Sequence, residues 1–574
     1  MHKIKNFYQH NRTFLIIFIV VLVYYVQHLI SFRLGMYCEE GRDANACLWA
    51  LQGYLPYRDF EWTYGPFSFL IYPFIMKVFG INLIVLRISY IIFASLVIPL
   101  TYFLARRLMP HFWAGIAAFL SIIFFGAPDY TYNHVFAVLG ELGCLLMVCR
   151  FIGPDKRISN LFWAGIFAAI TVLTKPLSWG ISLFVSISLF LLLFNELGPL
   201  RKRRKDYSIF VIATFSLILV YSLYFYSQTT LKNITITYPY FARDSALFID
   251  SINRITMGVV VLFLKRLIFI SPIIRQIIYP TSFTDIKAPF LASSYNFTLD
   301  LPFIVSILIF LLYIASKFNK VSPEIKEKIY RDKKFLFLFI IFSILISLEP
   351  LIIPHGGSRI FTIQVPFILS VYILYLIKKV YSHRSVITTA FIVLFPFCFT
   401  FSNFFYYPYS VIKRYTKPLN FDRAKGVLVT EEEKELYESL SSYLALNLDK
   451  DDKMAVMDYL PQISFLTKQE NIFEKDECIF LKLGFVLEIL NKKEKMKMLL
   501  ALFEDKVISK MERERPKVVL GITGESSRDL EFYTSKIKDY IKKNYSLDKV
   551  IGSPNIRGSI CAPCQLRLYK YKGD

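Results

Sequence analysis

Charge is scarce in this sequence, and negative charge scarcest: Asp and Glu number 44 against 67 Lys and Arg, and the four types make up 19% of 574 residues. Ordinary soluble domains carry about 25%, so a chain solvated by water along its whole length is excluded. The eight cysteines are scattered, and Cys38, Cys47, Cys144, Cys149, Cys398 and Cys478 show no metal-ligand spacing. Only Cys561-Ala-Pro-Cys564 has a spacing that suits a disulfide, and two thiols cannot fill a tetrahedral zinc site. The first apolar run, 14–32, is followed by no small-residue cleavage site, so it reads as a retained helix and not as a leader. No repeat relates the two halves, which counts against a transporter built from inverted repeats.

What is abundant is hydrocarbon. Hydrophobic residues make up 55% and aromatics 17%, with a mean hydropathy of +0.46. Runs long enough to cross a bilayer fall at 14–32, 84–108, 111–128, 134–153, 160–176, 177–194, 208–228, 301–320, 335–353, 361–379 and 386–406. This predicts a polytopic α-helical membrane protein of about eleven spans. The net charge of +23 is then a topology signal, and nucleic acid is not an expected partner. With the N-terminus cytoplasmic, Arg106-Arg107, Lys156-Arg157, the Arg201–Lys205 run, the 317–334 cluster and Lys378-Lys379 all fall inside. Residues 33–83 and 229–300 fall outside. The apolar stretch 257–279 is interrupted by Lys265, Arg266, Pro272 and Arg275, and reads as an interfacial helix pair.

After residue 411 the composition changes. Helices are expected at Glu431–Leu446, Lys492–Arg513 and near Arg528–Lys543, and strands at Met454–Met457, Val518–Ile522 and Gln565–Tyr571. Residues 412–574 thus read as a soluble α/β domain, placed outside by an odd number of spans, and residues 1–411 as the membrane domain.

Chemistry concentrates in the outer segments. Met36-Tyr37-Cys38-Glu39-Glu40-Gly41-Arg42-Asp43 sets three carboxylates beside the first span, and the stretch from Gly53 to Pro66, with Arg58, Asp59 and Tyr64, is too dense in aromatics, acids, Gly and Pro for a plain connector. A solvated loop explains the carboxylates alone about as well. Asp129 and His134 fall in the next outer turn, and an interfacial histidine without a ligand role is the commoner case. Glu141, inside a predicted span, needs pairing, protonation or a cavity.

The order of an acidic pair, Tyr57-Arg58-Asp59-Phe60, Tyr64-Gly65-Pro66 and Arg87 opening the next span resembles the class C membrane glycosyltransferases. The nearest resemblance is to protein O-mannosyltransferases and lipid A aminoarabinose transferases. Leu173-Thr174-Lys175-Pro176 and Ser358-Arg359-Ile360-Phe361 match further segments of that family, with a weaker echo at Asp458–Thr467. The resemblance implies transfer of a sugar from a polyprenyl-phosphate donor to a lipid, glycan or protein hydroxyl outside the cytoplasm, in a bacterial plasma membrane. It implies catalytic roles for Glu39, Glu40 and Asp43, with Glu39 favoured as base. Substrate contacts are expected for Arg58, Asp59, Tyr64 and Arg87 in the matching segments, and for Asp129 and His134 from their place in the next outer turn. They are expected also for Lys175 and Arg359, as cations at the outer ends of spans, where they can meet a lipid phosphate. No cofactor follows from these residues, and participation of a divalent metal stays open. Three other readings compete: a ligase or polymerase of lipid-linked glycans, a transporter, and an assembly partner without catalysis.

Overall fold

The computed structural model describes residues 12–36, 38–60, 62, 64–125, 132–153, 156–175, 179–228, 323–352, 364–380, 415–457, 460–473, 475, 493–523, 535–552 and 565–573. The expected spans 301–320 and 386–406, the loop 229–300, Asp129, Arg359 and Cys561–Cys564 lie outside the described residues.

Helices stand at the nine other places where spans are expected. They are α1 (Arg12–Ser31), the pair α4 (Leu83–Ser95) and α5 (Val97–Ala105), α6 (His111–Phe125), α7 (Tyr132–Ile152), α8 (Ile158–Thr174), α9 (Ile181–Leu193), α10 (Leu200–Gln228), α11 (Pro323–Ile352) and α12 (Gln364–Val380). Among the described residues three are long and apolar enough to cross a bilayer, at Leu83–Ala105, Tyr132–Ile152 and Leu200–Phe225, and others are shorter apolar helices. The described helices therefore do not establish a count of eleven crossings. The break at Leu96 has a local cause: Pro99 has no N–H for the Ser95 carbonyl one turn back, and its ring crowds that turn.

Composition sorts these helices by depth. Nearly every described side chain of α7 is buried, whereas α10 turns Ile212, Leu219, Val220 and Leu223 outward, an apolar surface suited to lipid. The inner helices approach through small residues, as membrane helices do where packing alone drives association. A Cβ at Gly140 would press on the Thr171 backbone of α8, and one at Gly165 on the Phe210 carbonyl of α10.

The segment 33–83, expected as an outer loop, folds into two helices of its own, α2 (Cys38–Leu51) and α3 (Ser68–Phe79). Helix α2 starts with Glu39 and Glu40, whose charge suits a helix N-terminus, and continues through the helix-favouring Ala44, Ala46 and Ala50.

In the tail, β1 (Lys417–Pro418) pairs antiparallel with β2 (Leu428–Val429), and a five-stranded sheet forms from β3 (Lys453–Val456), β4 (Glu470–Asn471), β5 (Val518–Thr523), β6 (Tyr545–Gly552) and β7 (Gln565–Tyr571), in the order β4-β3-β5-β7-β6. Strand β3 is parallel to β4 and β5, while β7 runs antiparallel to both β5 and β6. Alternation along β3 explains the two apolar layers. Met454 and Val456 pack with Leu440 and Leu444 of α13 (Glu431–Asn447), and Ala455 and Met457 with Val507 and Met511 of α15 (Lys493–Glu514). Helix α13 begins in a capping box formed by Thr430 and Glu433.

This tail is stitched to the membrane helices. Backbone bonds join Leu428 to Arg33 and Gly35, Arg33 Nε donates to the Gly426 carbonyl at 2.7 Å, and Asn82 reaches the Asp422 carbonyl at 3.1 Å. Helix α14 (Pro461–Thr467) lies directly on α2, where Asn45 Nδ2 donates to the Pro461 carbonyl at 2.8 Å. Gly41 permits this approach, since a Cβ there would stand 2.6 Å from the Gln462 Cα. Gly41→Ala is therefore expected to cost about 1–3 kcal/mol as an overpacked contact and to expose the tail to limited proteolysis. A digestion pattern and melting curve like those of the parent would show that α14 does not need the glycine.

Candidate functional site

Two groups of polar residues assemble around α2, and they differ in what they are free to do. The first is closed. Arg87, in the second turn of α4, donates to both oxygens of Glu40, from Nε to Oε1 at 2.6 Å and from Nη2 to Oε2 at 2.5 Å. Its remaining donors reach the carbonyls of Phe32 at 3.0 Å and Gly35 at 2.7 Å, where the chain leaves α1. Tyr132, the first residue of α7, donates its hydroxyl to Glu40 Oε1 at 2.8 Å. Both charged side chains are completely buried, at 0% exposure. A carboxylate taken that far from water needs a counter-charge and saturated lone pairs, and Arg87 with Tyr132 supplies them. Glu40 and Arg87, expected from the resemblance to serve in catalysis and substrate binding, are thus each other's partners and tie the ends of α1, α4 and α7 to the start of α2.

The second group is gathered one turn later on α2. Asp43 Oδ1 accepts from Arg42 Nε at 2.8 Å, and Asp43 Oδ2 from Asn133 Nδ2 at 3.4 Å. The Arg42 guanidinium lies 4.8 Å from the centre of the Tyr64 ring and 5.7 Å from that of Trp62. Lys175, the residue that ends α8, places its ammonium 4.5 Å from the same Tyr64 ring and 5.5 Å from Trp179. His134 stands edge-on to both, 5.9 Å from Tyr64 and 5.2 Å from Trp179. Asp43, Tyr64, His134 and Lys175, four residues singled out in the sequence, therefore surround one point. Two cations lie over one tyrosine ring there, a geometry in which the ring quadrupole favours positive charge.

The local reason is a backbone splice between two segments far apart in sequence. Gly65 N donates to the Thr174 carbonyl at 3.0 Å and Phe67 N to the Leu173 carbonyl at 3.3 Å. Any Cβ at Gly65 would overlap the Leu173 carbonyl. Tyr64-Gly65-Pro66 is held against the end of α8 by these bonds, and Tyr64 meets Lys175 as a result.

Arg58 and Asp59 stand elsewhere, as a surface pair that shapes the turn before Phe60. Arg58 Nη2 lies 2.7 Å from Asp59 Oδ2, which also accepts the Leu55 N–H at 2.8 Å. Partial burial works to raise the Asp59 pKa, but these hydrogen bonds and the nearby charges of Arg58 and Lys475 outweigh it and hold the carboxyl below its ordinary range.

Glu39 lies one turn before Asp43 on α2. Glu141 is buried within α7. Arg42, Asn133, Trp62 and Trp179 were not singled out in the sequence. The signal for Trp179 was its position four residues after Lys175, and for Arg42 its place beside Asp43 in the acidic segment. Among the described residues no group of three His, Cys, Asp or Glu side chains is placed to hold a metal ion.

No protein-family model and no curated relative matches the chain. Solved structures do. The oligosaccharyltransferase of Archaeoglobus fulgidus, tethered to an acceptor peptide containing the NVT sequon, is similar over 94% of this chain and 73% of its own, with a TM-score of 0.51 and 13% identity. The apo form of that enzyme matches at 0.51 and 13% over 96% and 75%. ArnT from Cupriavidus metallidurans bound to undecaprenyl phosphate is similar over 80% and 84% at 13% identity, with a TM-score of 0.43 that adds nothing to the fold assignment. At such identities the likeness speaks for the fold alone, which this chain shares with that oligosaccharyltransferase.

Proposed function

We propose that this protein is a glycosyltransferase that moves a sugar from a polyprenyl-phosphate donor to a hydroxyl on the extracytoplasmic side of a membrane. The observation that carries the reading is the convergence of Asp43, Arg42, Tyr64, His134 and Lys175 at the ends of apolar helices. A lipid-linked sugar is held at the membrane interface, and a catalyst must meet it there. The oligosaccharyltransferase that shares this fold is tethered to an acceptor peptide, which fits a fold able to present an acceptor to a transferase.

In the proposed reaction a carboxylate on α2 takes the proton of the acceptor hydroxyl. The new bond forms between that oxygen and the sugar's anomeric carbon as the bond from that carbon to phosphate breaks. Negative charge collects on the leaving polyprenyl phosphate, where Lys175, helped by Arg359, stabilises it. Tyr64 and Trp179 hold the Lys175 ammonium in place, so the cation meets the anion with little reorganisation. Asp43, bonded to Arg42 beside the Tyr64 ring, is the first candidate for that carboxylate, and Glu39 stands one turn earlier on α2. Tyr64 and His134 line the sugar's position.

The donor part of the proposal is open to a direct test. Lys175→Ala is expected to weaken binding of undecaprenyl phosphate by about 10- to 150-fold, the equivalent of one charge-assisted contact of about 1.5–3 kcal/mol. Stability should change far less. Unchanged donor affinity in both Lys175→Ala and Arg359→Ala would remove the two cations from the site. The orientation rests on the charge asymmetry of the sequence, and cysteine labelling that finds residue 420 cytoplasmic would overturn it together with the reaction's proposed side.

A further inference from the structure

A cleft of about 590 Å³ opens where the tail meets the C-terminal half of α2. Asn45, Leu48 and Trp49 of α2 form one wall, and β3, β4, α15 and the end of α14 form the others. Its charge is lopsided. Arg423, Lys453, Lys468, Lys475, Lys510 and Arg513 line it, against the carboxylates of Glu470 and Glu514. Both acids are already engaged: Lys453 lies 2.8 Å from Glu514 and 3.8 Å from Glu470, and Arg513 Nε bonds the other Glu514 oxygen at 3.0 Å. Lys468 is paired with Asp422 at 2.7 Å, so the excess of positive charge is carried by Arg423, Lys475 and Lys510. The Lys453 and Arg513 hydrogen bonds hold the Glu514 carboxyl below its ordinary range, so it stays ionised and bound to them.

The remaining lining is polar and aromatic. The Gln52 and Gln469 amides offer donors and acceptors suited to hydroxyls. Tyr54 is partly exposed at the rim, with the Lys475 ammonium 3.8 Å from its ring centre. Cations set beside an aromatic rim and amides, in a groove longer than a single ion needs, match a sugar chain that carries acidic groups better than they match a free anion.

We propose that this cleft binds the acidic part of the acceptor, a saccharide bearing carboxylate or phosphate groups. The inference rests on the reading of the protein as a transferase with an acceptor. It adds the acceptor's chemical class and the surface that selects it. Helix α2 then links the two events, since Asp43 near its start faces the donor cluster and Asn45, Leu48 and Trp49 further along line the cleft.

The test uses the full chain in nanodiscs of zwitterionic lipid with a fluorescent galacturonate oligomer as probe. The parent is expected to bind it saturably, more weakly as salt rises, and Lys475→Glu/Lys510→Glu is expected to weaken it by about tenfold or more, the scale of losing favourable charge contacts. Binding of undecaprenyl phosphate should stay unchanged in that variant, which reports intact folding. If the charge reversal unfolds the tail, Lys475→Gln/Lys510→Gln replaces it with the same expectation in direction. Equal probe affinity in parent and variant would overturn the proposal. So would full displacement by an equal charge concentration of inorganic phosphate, which would mark an unselective anion site, or loss of binding in nanodiscs of anionic lipid, which would mark a headgroup surface. A neutral galactose oligomer that competes equally well would remove the acidic specificity. If the probe binds the cleft but the parent fails to bind undecaprenyl phosphate, the transferase reading falls and the cleft stands; the reverse pattern removes the cleft alone.

Discussion

Asp43→Asn is expected to slow the chemical step by about a hundredfold or more while leaving donor binding nearly intact, the signature of an interaction made only in the transition state. The substitution is nearly isosteric. Its amide oxygen can still accept from Arg42, which lies 2.8 Å from Asp43 Oδ1, and the bond given up is the long one of 3.4 Å from Asn133 Nδ2 to Oδ2, so the helix and the neighbouring rings keep their places. What the amide loses is the ability to accept a proton from the acceptor hydroxyl. Glu39→Gln is the companion measurement, because residue 39 precedes Asp43 by one helical turn and residues at that spacing share a face. Single-turnover assays with a labelled polyprenyl-phosphate sugar separate the two. A slow Asp43→Asn with a near-normal Glu39→Gln assigns the base to Asp43, and the opposite pattern assigns it to Glu39, as the family resemblance favours. Normal turnover in both would end any catalytic reading of α2.

The parts of this fold that sequence made legible are those with one dominant force. Apolar runs became helices at 14–32, 134–153 and 208–228 because only a helix satisfies its own backbone in hydrocarbon, and Gln565–Tyr571, expected as a strand, is one, with Leu566 and Leu568 buried on one face. Strand β6 was missed for the opposite reason. It is the edge of the sheet, with only Tyr545 and Ile551 buried, so its sequence shows no alternation. Helix α3 was hidden in an expected loop by its shortness and by Pro73.

For the site, the motifs were visible but their partnership was not. Tyr64-Gly65-Pro66 and Leu173-Thr174-Lys175 stand more than a hundred residues apart in sequence, and the splice that joins them is made by backbone groups, which leave no mark on residue type beyond the need for glycine at 65. The adjacent acids Glu39 and Glu40 look equivalent in sequence. On a helix, consecutive side chains diverge by about 100°, and that rotation sends Glu40 to Arg87.

That pair carries the largest expected effect on stability. Arg87→Met should destabilise the protein by about 3–5 kcal/mol, because it leaves the Glu40 carboxylate buried without its counter-charge. Carbonyls of Phe32 and Gly35 lose their donor at the same time. Glu40→Gln should cost a comparable amount, since it leaves the buried Arg87 guanidinium without its counter-charge and turns an amide donor toward one of the two Arg87 nitrogens, while the Phe32 and Gly35 carbonyls still accept from Arg87. The double change Glu40→Leu/Arg87→Met should recover part of the loss, because removing both charges abolishes the desolvation cost that one alone must bear, although the Tyr132 hydroxyl and the two carbonyls stay without their partners. Unfolding followed in detergent gives the three stabilities, and turnover below the melting range gives the second readout. A residue that only positions α2 lets Glu40→Gln keep most of its turnover, in contrast to the expected loss in Asp43→Asn. An Arg87→Met protein as stable as the parent would mean that Glu40 is compensated by some other group, and a Glu40→Gln protein that is folded but inactive would return Glu40 to the catalytic machinery.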